Sequence, residues 1–220
     1  MNRVIQLLVV VVVAMGALQW IVPRLVSSAA SRQLSHLDHG PRPSVAIEAV
    51  PFWRLLRGQF QDLVITANDA RIQSLTVRRV HLVWLNGAVA LLPLEKGRLV
   101  VTQAGFLTVT ADISAGALSR LLARHGSIVH PVVSIAPSGV SLKGQLRLGA
   151  ATVPLDTKGS LHASPNHQAL IFHPKSVDGL NLPGLTNVSL FNLAAVKTPM
   201  HLVIEKVTLT ENQLELTVGN

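Results

Sequence analysis

The side chains that could do chemistry in this sequence are its histidines, its carboxylates and a pair of arginines set beside aromatic rings. His36 and His39 flank Asp38 at a spacing that puts them on one helix face, where they could hold a metal ion. No third and fourth ligand follows nearby, and a solvated linker accounts for the same residues. His162, His167 and His173 are irregularly spaced on strand-like or loop sequence and read as surface or turn residues. The 11 carboxylates are scattered, and spacing alone places no two in one site. There is no Gly-x-Ser-x-Gly elbow, no Gly-rich loop with a lysine to cradle phosphate, and no His-Glu-x-x-His helix. With no cysteine, disulfides, zinc–thiolate sites and cysteine nucleophiles are excluded together. The expectation is therefore a chain that is not an enzyme and takes no cofactor or metal.

The arginines are more suggestive. Pro51-Phe52-Trp53-Arg54-Leu55-Leu56-Arg57-Gly58 reads as a short helix opened by proline and closed by glycine. Arg54 and Arg57 there sit beside Phe52 and Trp53. At a membrane interface, guanidinium groups can grip a phosphate while the rings enter the acyl region. The alternative is a solvated outer helix face.

The elements that must position these residues are mostly strands. Leu107, Val109, Ala111 and Ile113 alternate with polar residues, as a half-buried strand requires. Val140, Leu142, Leu146 and Leu148 share one face. Val207 to Val218 reads as a closing hairpin with its turn at Thr210–Gln213. Between Arg71 and Leu85 the parity slips at Arg78-Arg79, from odd Leu75 and Val77 to even Val80, Leu82 and Trp84. A bulge would keep both sets on one face and bend the strand around a cavity; two short strands with a turn would serve as well. Ser114 can cap a helix running to His125, with Leu118, Leu121 and Leu122 on one face and Gly126 as its stop. Pro174 to Thr198 shows no clean period and reads as a partly apolar loop or short helix.

At the start, Val4–Val22 is an uncharged run long enough to cross a bilayer as a helix. It is read as a retained signal anchor, residues 1–24, with the bulk of the chain outside. Small residues at Val26–Ala30 would instead allow cleavage and secretion. Residues 25–43 form a juxtamembrane helix and linker ending in Gly40-Pro41-Arg42-Pro43, and residues 44–220 form one domain with a core of its own. The net charge of +8 is spread singly, Arg78-Arg79 being the one adjacent basic pair, and aromatics are few. That excludes a nucleic-acid stripe and suits an anionic membrane surface, or simply solubility.

Val45 to Thr66, VAIEAVPFWRLLRGQFQDLVIT, resembles the signature of the LmeA-like exported phospholipid-binding proteins, with its Pro-Phe, Leu-Leu and Gly positions in order. Asn68–Ile72, Leu75–Val80 and the hairpin Val207–Val218 are similar to later family segments. Trp53 stands where the family commonly has Leu, Glu48-Ala49-Val50 where Gly-Phe is usual, and Asn212-Gln213 replaces an Asp-Gly turn. The resemblance implies an α+β fold in which a long, curved antiparallel sheet packs around one or two helices, a lipid-carrier-like half barrel behind an N-terminal transmembrane helix. It implies a non-catalytic protein on the extracytoplasmic face of a bacterial cell envelope that carries or presents phospholipid through an apolar groove. Phe52, Trp53, Leu55, Leu56, Phe60, Trp84, Phe106, Leu107 and Val109 could line that groove, with Arg54 and Arg57 at the headgroups; the same apolar residues could equally form an ordinary sheet–helix core. The partners expected are membrane and phospholipid, anionic lipid included, with the chain a monomer. The rival reading is a non-catalytic envelope scaffold with a dry core that recruits an envelope-assembly protein.

Overall fold

Period-two patterning runs through most of the chain after Ser44, and it folds as strands. The structure, a computed structural model, describes residues 43–51, 53–72, 75–95, 100–124, 128–148, 151–177, 188–195 and 200–220. The apolar run Val4–Val22, the cleavage alternative at Val26–Ala30, the linker with His36 and His39, Phe52 and the helix stop at Gly126 lie outside the described residues. No helix among the described residues is long and apolar enough to cross a membrane.

The strands are β1 (Ser44–Glu48), β2 (Asp62–Ile72), β3 (Leu75–Leu85), β4 (Ala88–Val89), β5 (Val101–Gln103), β6 (Phe106–Ser114), β7 (Ile128–Ala136), β8 (Gly139–Leu148), β9 (Ala151–Ala163), β10 (Ala169–Val177), β11 (Val188–Asn192), β12 (Val203–Thr210) and β13 (Gln213–Gly219). The helices are α1 (Trp53–Leu56), α2 (Leu91–Glu95) and α3 (Ala115–Arg124), with one 3-10 turn at Leu193–Ala195. The protein is mostly antiparallel sheet with few helices, as expected. Hydrogen bonding divides the strands into a six-stranded sheet, β1-β2-β3-β6-β13-β12, a five-stranded meander, β11-β10-β9-β8-β7, and the pair β4-β5.

The described residues fall into two compact units, 43–67 with 81–107 and 68–80 with 108–220. Strands β2, β3 and β6 contribute residues to both. Unit 2 holds one continuous apolar core, in which Leu118, Leu121 and Leu122 of α3 meet Ile113, Val133, Leu170, Ile204 and Leu214. Helix α3 begins where the sequence places it: Ser114 Oγ accepts the Ala117 N–H at 3.2 Å, satisfying one orphan donor of the first turn. The closing hairpin turns at Glu211-Asn212, with Thr210 opposite Gln213. Asn212 takes a φ of 58°, a left-handed conformation that asparagine tolerates, and so does the work expected of a glycine.

Of the two readings of residues 75–85, the single continuous strand holds, with Arg78 and Arg79 both exposed at the point where the inward parity changes. Two other local expectations change. Pro174–Val177 continues β10, and Val188–Asn192 is the edge strand β11, so this stretch is not simply a loop. Its period was obscured because Pro174 has no N–H to give the ladder, and the register with β9 shifts between Pro174 and Ser176. The short helix at Pro51–Gly58 shrinks to the single turn α1.

Leu214 is fully buried in unit 2. Leu214→Ala should destabilise the protein by about 2–5 kcal/mol, the range for an enclosed leucine. Chemical denaturation with an unchanged m-value would report it; a loss below about 1 kcal/mol would mean this core is loosely packed.

Candidate functional site

Unit 1 gathers the residues that the sequence singles out. Helix α1 ends in a Schellman arrangement: Gly58 N–H donates to Leu55 O (2.9 Å) and Gln59 N–H to Arg54 O (2.9 Å). Gly58 has a φ of 74°, and a side chain there would run into the backbone carbonyl of Val89 and approach Leu91. The Val89 N–H in turn donates to Gly58 O at 2.9 Å, and Ala90 N–H to Val100 O at 2.9 Å. These bonds draw α1, the start of α2 and the start of β5 into one neighbourhood.

Beneath them lies a small aromatic joint. Phe60 and Trp84 are buried and meet edge to face, ring centroids 4.9 Å apart. The Trp84 indole N–H donates to the Ala104 carbonyl. Phe60 N–H donates to Gly87 O (3.0 Å), and Asn86 N–H to Gln61 O (2.8 Å). Leu55 and Leu107 are also buried.

Other singled-out residues are exposed. Leu56 is 64% exposed, Trp53 46% and Phe106 70%. Arg54 is half-buried and Arg57 exposed. Val109 belongs to unit 2, where it packs half-buried against the core. Sequence reasoning missed Val50, Leu85, Leu91, Leu92 and Val100, all exposed in unit 1, Leu92 at 76%. Val132 is the one large exposed apolar residue recorded in unit 2 among the described residues. The local trace was the run Ala88–Leu94 interrupted by Pro93, too short and apolar to distinguish a core segment from an exposed one.

Unit 2 carries a feature of the opposite character. A cleft of about 530 Å³ is lined by Asn68 and Asp69 of β2, Arg78 and Arg79 of β3, Asp112 of β6 and Gln213 of β13. Among the described residues, no cluster of three or more His, Asp or Glu side chains is placed to hold a metal ion.

A family model described as LmeA-like phospholipid-binding matches residues 17–219, nearly the whole chain. No curated protein and no solved structure matches it.

The aromatic joint leaves no room at Gly87, where an added Cβ would lie 2.6 Å from both the Phe60 ring and the Trp84 indole. Gly87→Ala should therefore separate the two rings, destabilise the protein by about 1–3 kcal/mol and shift tryptophan emission to longer wavelength. An unchanged emission spectrum and melting temperature would show that the rings part without consequence.

Proposed function

Because this chain belongs to the LmeA-like phospholipid-binding family, we propose that unit 1 is its lipid-contacting part, and that it carries or presents phospholipid at a membrane without acting on it chemically. The observation that carries this reading is the contrast in where apolar side chains go. In unit 2 they form a continuous core. In unit 1 Val50, Trp53, Leu56, Leu91, Leu92 and Phe106 remain in solvent. Each such side chain forgoes part of the about 1.5–3 kcal/mol that full burial would supply, and soluble monomers rarely leave large apolar patches uncovered. Acyl chains can supply that burial, at about 0.8 kcal/mol per methylene.

Arg54 and Arg57 complete the surface. They lie on and just after α1, next to Trp53 and Leu56. Phosphate groups would meet the guanidinium ions while the neighbouring apolar side chains enter the acyl region. In this reading Val4–Val22 anchors the protein and the domain works on the extracytoplasmic side. The charge-free run supports the anchor, and the net charge of +8 suits an anionic membrane surface.

Vesicle flotation tests the surface. A basic residue near an anionic membrane contributes about 1 kcal/mol, so Arg54→Gln with Arg57→Gln should weaken binding to phosphatidylglycerol-containing vesicles about thirtyfold at low salt. Binding to neutral phosphatidylcholine vesicles should hardly change. Leu92→Ser with Phe106→Ser should weaken binding to both, independently of salt. Arg57, Leu92 and Phe106 are exposed and Arg54 is half-buried, so folding should survive. If the arginine pair binds anionic vesicles like the parent, the headgroup role is wrong. If the serine pair does, unit 1 is not the lipid-contacting surface.

The anchor is tested separately. Membranes washed in alkaline carbonate should retain the full-length chain. Release of a shorter protein starting near Ser31 would identify the run as a cleaved signal.

A further inference from the structure

The polar cleft of unit 2 has no part in the surface just described. Its lining residues come from four strands that are neighbours in the six-stranded sheet, β2-β3-β6-β13. In a regular strand, consecutive side chains point to opposite faces. Here two consecutive pairs, Asn68-Asp69 and Arg78-Arg79, line the same cleft. Asp69 has a φ of 54°, outside the extended region, and the inward parity of β3 breaks at Arg78-Arg79. Irregularities of this kind re-aim side chains and gather beside binding sites. Two adjoining strands each break their alternation and so deliver twice the usual number of polar groups to one place.

The charges are the second observation. The cleft holds two guanidinium groups and two carboxylates, yet none of the four is ion-paired among the described residues; the ion pair recorded there is Lys143–Asp156, at 3.0 Å. Asp69, Arg78 and Arg79 are exposed, and Asp112 is half-buried. The named lining has no apolar side chain, so it suits a polar group rather than an acyl chain.

We propose that this cleft binds a zwitterionic phosphoester, a phosphate diester that also carries an ammonium group. The planar guanidinium forks of Arg78 and Arg79 match phosphate oxygens. The carboxylates of Asp69 and Asp112 accept hydrogen bonds from the ammonium, and the amides of Asn68 and Gln213 serve the remaining ester or hydroxyl oxygens. A simple anion gains from the arginines and is repelled by the carboxylates; a simple cation meets the reverse. A ligand bearing both signs profits from all four. A phospholipid headgroup and a free phosphoester share this chemistry, and only the choice of lipid as its source rests on the function proposed above.

Isothermal titration of the full chain in a phosphate-free detergent tests it, with sn-glycero-3-phosphoethanolamine, inorganic phosphate and ethanolamine as probes at low salt. The zwitterion should bind at least about tenfold more tightly than either fragment. Arg78→Gln with Arg79→Gln, and Asp69→Asn with Asp112→Asn, should each weaken it about tenfold or more. The asparagine pair should also tighten inorganic phosphate. Asp69→Asn alone, at an exposed position, repeats the test should the pair unfold. Equal affinity for phosphate and the zwitterion, or an unchanged zwitterion affinity in Asp69→Asn, overturns the proposal. Because the titration uses no bilayer, its failure leaves vesicle binding by unit 1 standing, and the converse holds. Phosphatidylethanolamine dissolved in the same detergent that competes with sn-glycero-3-phosphoethanolamine in the titration supports the lipid as the source; failure to compete supports a free phosphoester in the same cleft.

Discussion

Unit 2 depends on how the open edge of β7 is satisfied. β7 is the last strand of the meander, and α3 packs over it, so its outward backbone groups would be shut away from water with nothing to bond. Two bonds to β7 prevent this, and two more brace their partners. Val133 N–H donates to Ser119 Oγ at 2.9 Å, while that hydroxyl donates to Ala115 O. Asn212 N–H donates to Ile135 O at 2.9 Å, and Ala115 N–H donates to Asn212 O at 3.1 Å. Each bond is worth only about 1 kcal/mol net, but a buried orphan would be worse by about 1–3 kcal/mol. One helix, one edge strand and one hairpin turn are thereby held in register, and the leucine face of α3 is committed to the core. At the other side of the meander, His167 and Gln168 do the same for the segment entering β12, through Ile204 and Leu202.

The two units spend their apolar residues differently. Unit 2 buries its own and pairs its backbone edges. Unit 1 has a small interior built on the Phe60–Trp84 contact, a glycine at position 87 that admits both rings, and short helices on which Leu56, Leu91 and Leu92 stay exposed. The glycine at position 58 allows α1 to end abruptly against Val89, which brings Arg54, Arg57 and Leu91 into the same neighbourhood. A surface of this sort is unfavourable in water, and burying its apolar side chains would relieve it.

Much of this was legible from spacing. Alternation announced β6, β8, β12 and β13, and the serine cap with its leucine stripe announced α3. Those signals are local, and local signals survive folding when the partner element supplies the missing face. The pairing of β1 with β2, the edge strand β11 and the register shift after Pro174 were not legible, because β1 and β11 are five residues each and β10 is interrupted by its proline, too short or irregular an alternation to declare a register. The exposure of Leu91 and Leu92 was hidden too, since an apolar dipeptide reads alike inside or outside a protein. The cleft was the least visible, its residues lying at 68–69, 78–79, 112 and 213. Its one local trace was the parity slip at Arg78-Arg79, which marks a departure from regular pleating but not what the departure serves.

The register of β6 with β13, Ser114 opposite Gln213 through Thr108 opposite Gly219, has a kinetic consequence. These strands are roughly a hundred residues apart in the chain, and the whole five-stranded meander lies between them. Loop-closure entropy rises only with the logarithm of loop length, but non-local pairing slows folding strongly. The meander consists of sequential hairpins and can form from local contacts. The large sheet cannot close until β13 has left the ribosome and found β6. During synthesis, then, the edge of β6 that β13 will cover waits longer for its partner than the strand edges that hairpins close, and a chaperone or a competing chain has an opportunity to bind there.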